Sequence, residues 1–160
     1  MEEDVCCPKF DPQPWEGATH EWKDKLFLFD EMPQFMHMPL PGFYAKAIKR
    51  LWALAETDDA RPDVKDFLML NYDPSPWKCE FYMAVTKEVP APAKTVKLSG
   101  SFISKTFDGP YHKVPEYIKE TDAYLKSQGK TAKKYYLYYT TCPKCAKKYG
   151  HNYIVVFAEV

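Results

Sequence analysis

The sequence repeats itself at a spacing of 67 residues, and this repeat constrains the fold more than any other feature. The residue pairs that share the spacing are Gly42 and Gly109, Tyr44 and Tyr111, Leu70 and Leu137, and Tyr72 and Tyr139. A spacing that holds through a predicted helix and a following strand indicates one supersecondary unit present twice. The repeat therefore predicts a chain built from two similar halves.

Within each half the hydrophobic pattern predicts a strand, a helix and a hairpin. Apolar side chains recur at helical spacing in residues 44–57 and 112–128, which predicts two helices. Pro115 fits only the first turn of the second helix, and Gly129 suits its C-terminal cap. The remaining predicted elements are strands at 34–40 and 100–107, and hairpins joining 67–72 to 78–89 and 134–140 to 152–160.

The 160 residues are expected to form one domain, preceded by an extended arm of residues 1–30. The spacing of Pro8, Pro12 and Pro14 forbids a helix that runs through these three positions. We expect it to lead into a strand around Glu21–Phe29 and to pack back through Phe10 and Trp15. The first repeat covers residues 33–89 and the second covers residues 96–160. The predicted class is α+β: two pseudo-symmetric β-α-β-β repeats, with both helices on one side and a ligand groove between the halves on the other.

Alternation along the predicted strands assigns one set of side chains to the helices and the other set to the groove. Leu70 and Leu137 are assigned to the helix side. The residues predicted to line the groove and bind a ligand are Phe35, His37, Met69, Glu80, Tyr82, Phe102, Tyr136 and Tyr138. Aromatic residues make up 16% of the chain, and rings around one carboxylate suit a flat cation. An ordinary half-exposed sheet face with a solvated Glu80 is the alternative interpretation.

Charge and composition exclude several classes of partner. The 22 basic residues are balanced by 22 acidic residues, so no general basic surface for nucleic acid is expected. No stretch approaches the roughly 20 apolar residues of a membrane-spanning helix, and the first residues lack the pattern of a signal peptide. Five cysteines, an odd number, predict reduced thiols and therefore a cytoplasmic location.

Cys142 and Cys145 form a C-x-x-C pair in the predicted loop of the second hairpin. Such a pair suits two zinc ligands, and Cys6, Cys7 or His151 could complete the site. A redox pair or two plain reduced thiols are the other interpretations. Because no second C-x-x-C is present, we predict reduced, metal-free cysteines and no cofactor.

Two short motifs carry a resemblance to a known family. Phe107–Tyr111 reads F-D-G-P-Y and Glu80–Val85 reads E-F-Y-M-A-V. Together with the doubled unit, these motifs make residues 33–160 similar to the GyrI-like domains, which bind multidrug or effector molecules. The resemblance implies a ligand site that includes Glu80, Tyr82, Tyr136 and Tyr138. Some relatives hydrolyse strained cyclopropane-bearing drugs in the same groove. The stretch Tyr135–Tyr139 lacks a further acid that the family often carries.

Three functions follow as hypotheses. The first is a stand-alone intracellular protein that binds amphipathic, aromatic and cationic small molecules, for sequestration or sensing. The second is a hydrolase that detoxifies electrophilic, cyclopropane-type xenobiotics, with Glu80 or a groove tyrosine positioning a water. The third is a zinc-stabilised module whose aromatic face docks a protein. Turnover of a reactive substrate separates the second from the first, and metal analysis tests the third.

Overall fold

A computed structural model of the chain describes residues 10–36, 38–39, 43–62, 67–75, 77–90, 93–140 and 143–160. The fold is α+β. Its residues divide into two compact units: a central unit, Trp22–Ser99, and a terminal unit, Met1–Glu21 with Gly100–Val160. The elements are β1 Ala18–Phe35, β2 Met38–Pro39, α1 Phe43–Thr57, β3 Met69–Ser75, β4 Lys78–Ala84, β5 Lys94–Asp108, α2 Val114–Ser127, β6 Lys134–Tyr139, α3 Pro143–Tyr149 and β7 Tyr153–Glu159.

In the central unit the strands follow the order β2-β1-β4-β3, and each neighbouring pair is antiparallel. Helix α1 buries Ala47, Leu51 and Ala55, which lie one turn apart on one stripe of the helix. The stripe belongs to the same core cluster as Leu28 of β1 and Phe81 of β4. One face of this sheet is therefore the helix side, and the alternate side chains lie on the opposite face.

In the terminal unit β7 lies between β6 and β5, and both pairings are antiparallel. Helix α2 contributes Tyr117 and Leu125 to the core on one side of this sheet. A 3-10 turn at Tyr111–Lys113 leads into the helix. At the other end of α2, Gly129 takes a φ of 71°, the left-handed conformation typical of a helix cap.

The two long helices predicted from the hydrophobic pattern are confirmed. Helices α1 (43–57) and α2 (114–127) lie close to the predicted ranges 44–57 and 112–128. The predicted strand at 100–107 also lies within β5. The strand predicted at 34–40 is wrong as drawn. Strand β1 already ends at Phe35, and Met36 takes a left-handed φ of 51°, which turns the chain into the two residues of β2. The strand expected around Glu21–Phe29 is part of the 18-residue β1.

The segment predicted as a hairpin loop around the C-x-x-C pair instead contains a helix. Helix α3 covers Pro143–Tyr149, between β6 and β7. Proline is well placed at the first position of a helix, and the following P-K-C-A-K-K-Y run has no β-branched residue. Gly150 ends it with a φ of 75° and donates a hydrogen bond to the Ala146 carbonyl at 3.0 Å. The side chains of Cys142 and Cys145 lie outside the described residues.

No helix in the described part of the chain combines the length and apolar content that a membrane span requires.

Candidate functional site

The predicted acid and tyrosine of strand β4 form a direct pair in the central unit. The Tyr82 hydroxyl donates a hydrogen bond of 2.8 Å to Oε1 of Glu80. The two residues are two positions apart in a strand, so both side chains stand on the same face. That face is opposite α1, because the intervening Phe81 belongs to the helix-side core. The alternation predicted for Glu80, Phe81, Tyr82 and Met83 is confirmed.

Aromatic rings from β1 stand beside the pair. The Phe29 ring meets the Tyr82 ring edge-on at 5.3 Å between centroids, and Phe27 does so at 6.4 Å. In the β1–β4 ladder Phe29 is the direct cross-strand partner of Tyr82, which explains the close contact. Tyr82 is 7% exposed, whereas the Glu80 side chain keeps 18% of its surface in solvent. Apolar neighbours thus hold the tyrosine, while the Glu80 side chain keeps some contact with solvent.

Two further charges lie next to Glu80. Glu31 of β1 is directly opposite Glu80 in the ladder, and Lys78 lies two positions before it in β4. The Lys78 ammonium is 2.8 Å from Oε2 of Glu31 and 3.9 Å from Oε2 of Glu80. The hydrogen bond with Glu31, together with the charges of Glu31 and Glu80, raises the pKa of Lys78 above its usual 10.5. The site is therefore an acid–lysine–acid row with a tyrosine at its buried end.

The structure places the other predicted ligand residues in three different settings. Phe102, Tyr136 and Tyr138 lie on one face of the terminal unit's sheet, opposite α2, as predicted, but they are buried rather than open to a groove. Phe35 is 61% exposed and stacks edge-on against Trp77 at 5.7 Å. His37 lies outside the described residues. The predicted ligand groove between the halves stays a prediction.

Met69 corrects the face prediction for β3. It belongs to the helix-side core of the central unit, with Leu28 and Phe81, and not to the opposite face. Leu70 instead pairs with Tyr82 across the ladder, on the side of the candidate site. The 67-residue repeat assigns Leu70 to the helix side by analogy with Leu137, and that assignment is wrong. A shift of one residue in a strand places every side chain on the opposite face of the sheet. The 67-residue spacing therefore does not match residues on the same face of β3 and β6.

The N-terminal arm explains why Tyr138 is covered. As predicted, Phe10 and Trp15 pack back on the sheet, where their rings contact Tyr138 at 6.1 and 5.9 Å. The arm is fastened by Ser104, whose hydroxyl donates to the Trp15 carbonyl at 2.6 Å. A hydroxyl has one hydrogen and a carbonyl can only accept. His20 Nε2, 2.8 Å from the same oxygen, must therefore donate its hydrogen to Ser104. In a nucleophile–base pair the serine hydroxyl donates its hydrogen to the histidine, whereas here the histidine donates to the serine, so this pair is not arranged for nucleophilic catalysis.

A second histidine pair, missed by the sequence patterns, lies near the end of β5. His151 Nδ1 is 2.6 Å from Oδ2 of Asp108, and the Asn152 backbone N–H donates to Oδ1 at 2.9 Å. Partial burial would raise the pKa of Asp108, but the contacts with His151 and Asn152 outweigh it and lower the pKa below its usual 3.8. Asp108 also lines a cavity of about 270 Å³ with Phe107, Tyr153 and others, but His151 does not. The carboxylate of this pair, and not its histidine, therefore lines the cavity.

The described residues contain no cluster of side chains that could bind a metal ion. Among those side chains, no three of His, Cys, Asp or Glu gather closely enough to hold a metal ion. The central unit offers a carboxylate that is oriented by a tyrosine and lies beside a lysine ammonium. Such a set suits the activation of a water molecule.

Comparison with known proteins identifies the family to which this chain belongs. The family of bacterial hydrolases matches residues 1–160, and the chain belongs to that family. No curated protein matches it. An uncharacterised conserved protein from Listeria innocua superposes with a TM-score of 0.65 at 13% identity, over 91% of this chain and 93% of that one. A hydrolase from Listeria innocua superposes with a TM-score of 0.63 at 14% identity, over 91% and 92% of the two chains. At these identities the likeness shows a common fold.

Proposed function

We propose that this protein is a hydrolase that adds water to electrophilic small molecules at the Glu80–Tyr82 pair. The observation that carries the proposal is the 2.8 Å hydrogen bond that holds a half-buried carboxylate in one orientation. Membership of the bacterial hydrolase family supports it. The resemblance to GyrI-like domains suggests the substrate class, namely strained cyclopropane-type compounds.

The pair is arranged to make Glu80 a general base. Oε1 accepts the Tyr82 hydroxyl, which leaves Oε2, 3.9 Å from the Lys78 ammonium, to accept a proton from water. The water oxygen forms a bond to the electrophilic carbon, and the strained carbon–carbon bond breaks. Its electron pair passes to a conjugated carbonyl oxygen, and the proton held by Glu80 then neutralises that oxygen. Substrate plus water gives the ring-opened alcohol without any oxidant or reductant.

The apolar neighbours of the pair help to fix the orientation of this base. Phe27 and Phe29 exclude water from one side of Tyr82, so its hydroxyl has a fixed partner. In a partly desolvated site a charged hydrogen bond is stronger than in bulk water. An oriented general base typically contributes about 10²–10⁴-fold to the rate.

A binding protein for aromatic cations is the second candidate function. The observation that favours it is the carboxylate of Glu80 beside the rings of Phe29 and Tyr82, a combination that attracts flat cations. Burial of Tyr136, Tyr138 and Phe102 argues against a wide aromatic wall in the terminal unit. Turnover separates the two functions, because a binding protein leaves the substrate intact.

The experiment is hydrolysis of a spirocyclopropyl dienone, whose opening to a phenol is followed by its absorbance. Glu80→Gln should lower kcat/KM by about 100-fold or more, because an amide cannot take up the proton. Tyr82→Phe should lower it by roughly tenfold, because the base loses its orientation but not its charge. Glu88→Gln is the matched control, since Glu88 is a well-exposed acid of the same unit. Unchanged kcat/KM in Glu80→Gln would refute the proposal.

A further inference from the structure

Lys78 is fixed in the candidate site by both its main chain and its side chain. Its carbonyl accepts a 3.1 Å hydrogen bond from Nε2 of Gln34, a residue that is only 5% exposed. Its ammonium is held 2.8 Å from Glu31 and 3.9 Å from Glu80. A lysine without such partners samples many rotamers, whereas Glu31 holds the Lys78 ammonium near the carboxylate that the proposed reaction uses.

We propose that Lys78 is a catalytic residue that stabilises the negative charge developing on the substrate's carbonyl oxygen when water attacks. The inference rests on the proposed function and narrows its substrate class. Substrates would carry an electrophilic carbon conjugated to a carbonyl group, so that bond breaking delivers an electron pair to oxygen. An alkyl electrophile without that acceptor gains nothing from Lys78.

The charges around Lys78 support this role. The hydrogen bond with Glu31 and the two acids' charges raise its pKa, so the ammonium stays protonated throughout the range in which proteins work. An ammonium has three N–H donors, and the geometry commits one of them to Glu31. A cation placed where charge develops acts most strongly when it is oriented before the reaction. Glu31 supplies that orientation.

A purely structural role for Lys78 makes a different prediction. Glu31 and Glu80 are directly opposite each other in the β1–β4 ladder, and like charges in that relation repel. If Lys78 only relieves this repulsion, its loss should cost stability, and removing the Glu31 charge as well should restore activity. If Lys78 contacts the substrate, the double variant stays slow.

In the proposed step Glu80 is the base, and Lys78, whose ammonium lies 3.9 Å from Oε2 of Glu80, is the cation beside it. Water gives its proton to Glu80 as the new carbon–oxygen bond forms. The broken bond's electron pair moves through the conjugated system to the carbonyl oxygen, beside Lys78. The proton on Glu80 is then transferred to that oxygen, which gives a neutral phenol and restores both residues.

The first test measures turnover of the spirocyclopropyl dienone by Lys78→Met, Lys78→Arg and the double variant Glu31→Gln/Lys78→Met. Lys78→Met should lower kcat by about 10–100-fold, less than a fully buried oxyanion donor gives because the side chain is half exposed. Lys78→Arg should retain activity within several-fold, and the double variant should stay as slow as Lys78→Met. Lys97→Met, which removes an exposed lysine of the same unit, is the control and should not change kcat. A wild-type kcat in Lys78→Met, or its recovery in the double variant, overturns the role of Lys78.

The second test does not depend on turnover. Calorimetric titration compares the affinities for 4-nitrophenolate, a stand-in for the anionic product, and for neutral nitrobenzene. The comparison tests whether Lys78 recognises negative charge. Lys78→Met should weaken the anion several-fold and leave nitrobenzene unchanged. Equal loss for both probes, or none for the anion, refutes the proposal. If the wild type binds the anion through Lys78 but hydrolyses no dienone, the proposed function fails and the anion site stands.

Discussion

Removing the Ser104 hydroxyl should loosen the N-terminal arm and destabilise the terminal unit. Ser104 is 0% exposed, and its oxygen joins two groups of the arm: it donates to the Trp15 carbonyl and accepts from His20 Nε2. Ser104→Ala breaks both hydrogen bonds and provides no replacement. The substitution removes one buried oxygen without creating a large cavity, so the lost hydrogen bonds dominate the expected effect.

The magnitude follows from those two bonds. A net hydrogen bond contributes about 0.5–1.5 kcal/mol, and a partly buried group left without its partner costs somewhat more. We therefore expect Ser104→Ala to lower the free energy of unfolding by about 2–3 kcal/mol. For a chain of this size that corresponds to a drop in Tm of roughly 5–10 °C. Ring contacts of Trp15 with Tyr138 and Phe157 should weaken at the same time.

Urea unfolding followed by tryptophan fluorescence and far-ultraviolet circular dichroism measures the loss. Ser101→Ala is the matched control: Ser101 lies on the same strand and bonds an exposed acid, Glu21, at 2.7–2.8 Å. That exposed pair can be replaced by water, so the control should lose less than about 0.5 kcal/mol. If Ser104→Ala and Ser101→Ala are equally stable, the arm is not held by the hydroxyl and the reasoning is refuted.

Three further predictions concern single groups. Because the folded-state pKa of Asp108 is lowered below 3.8, its pairing with His151 adds stability above that pH and is lost as the pH falls below it. Asp108→Asn should remove this contribution to the free energy of unfolding, which is less than about 1 kcal/mol because both side chains are exposed. If the variant loses as much stability at acid pH as the wild type in denaturation experiments, the prediction is wrong. Burial raises the pKa of Cys79 to about 12, so maleimide should leave Cys79 unlabelled in the native protein at neutral pH and label it in urea; peptide mass spectrometry decides. Gly109→Ala would bring a methyl group within 2.2 Å of the Tyr117 hydroxyl and should lower the free energy of unfolding in urea by about 1–3 kcal/mol. An unchanged free energy of unfolding would contradict this prediction.

The candidate site was partly visible in the sequence. Glu80 and Tyr82 are two positions apart in a strand whose alternate residues are apolar, and that local pattern identifies both their face and their proximity. Glu31 carries no such signal, because nothing near it in the sequence says that β1 pairs with β4 in the observed register. The same alternation places Lys78 on the face of Glu80 and Tyr82. Only the register of β1 and β4 shows that its ammonium lies near both Glu31 and Glu80.

Local periodicity determined the two long helices and the face of β4, because a helix stripe or an alternating strand specifies which side chains must be buried together. The same reasoning could not orient β3, whose M-L-N-Y run is apolar on both faces at its start. Packing against α1 decided that Met69, and not Leu70, lies on the helix side. The tertiary structure also decided that Tyr138 is covered by Phe10 and Trp15, since the sequence shows that these rings seek burial but not which surface they bury. Contacts between distant segments depend on register and on competition among similar apolar partners, and a one-residue difference reverses their outcome.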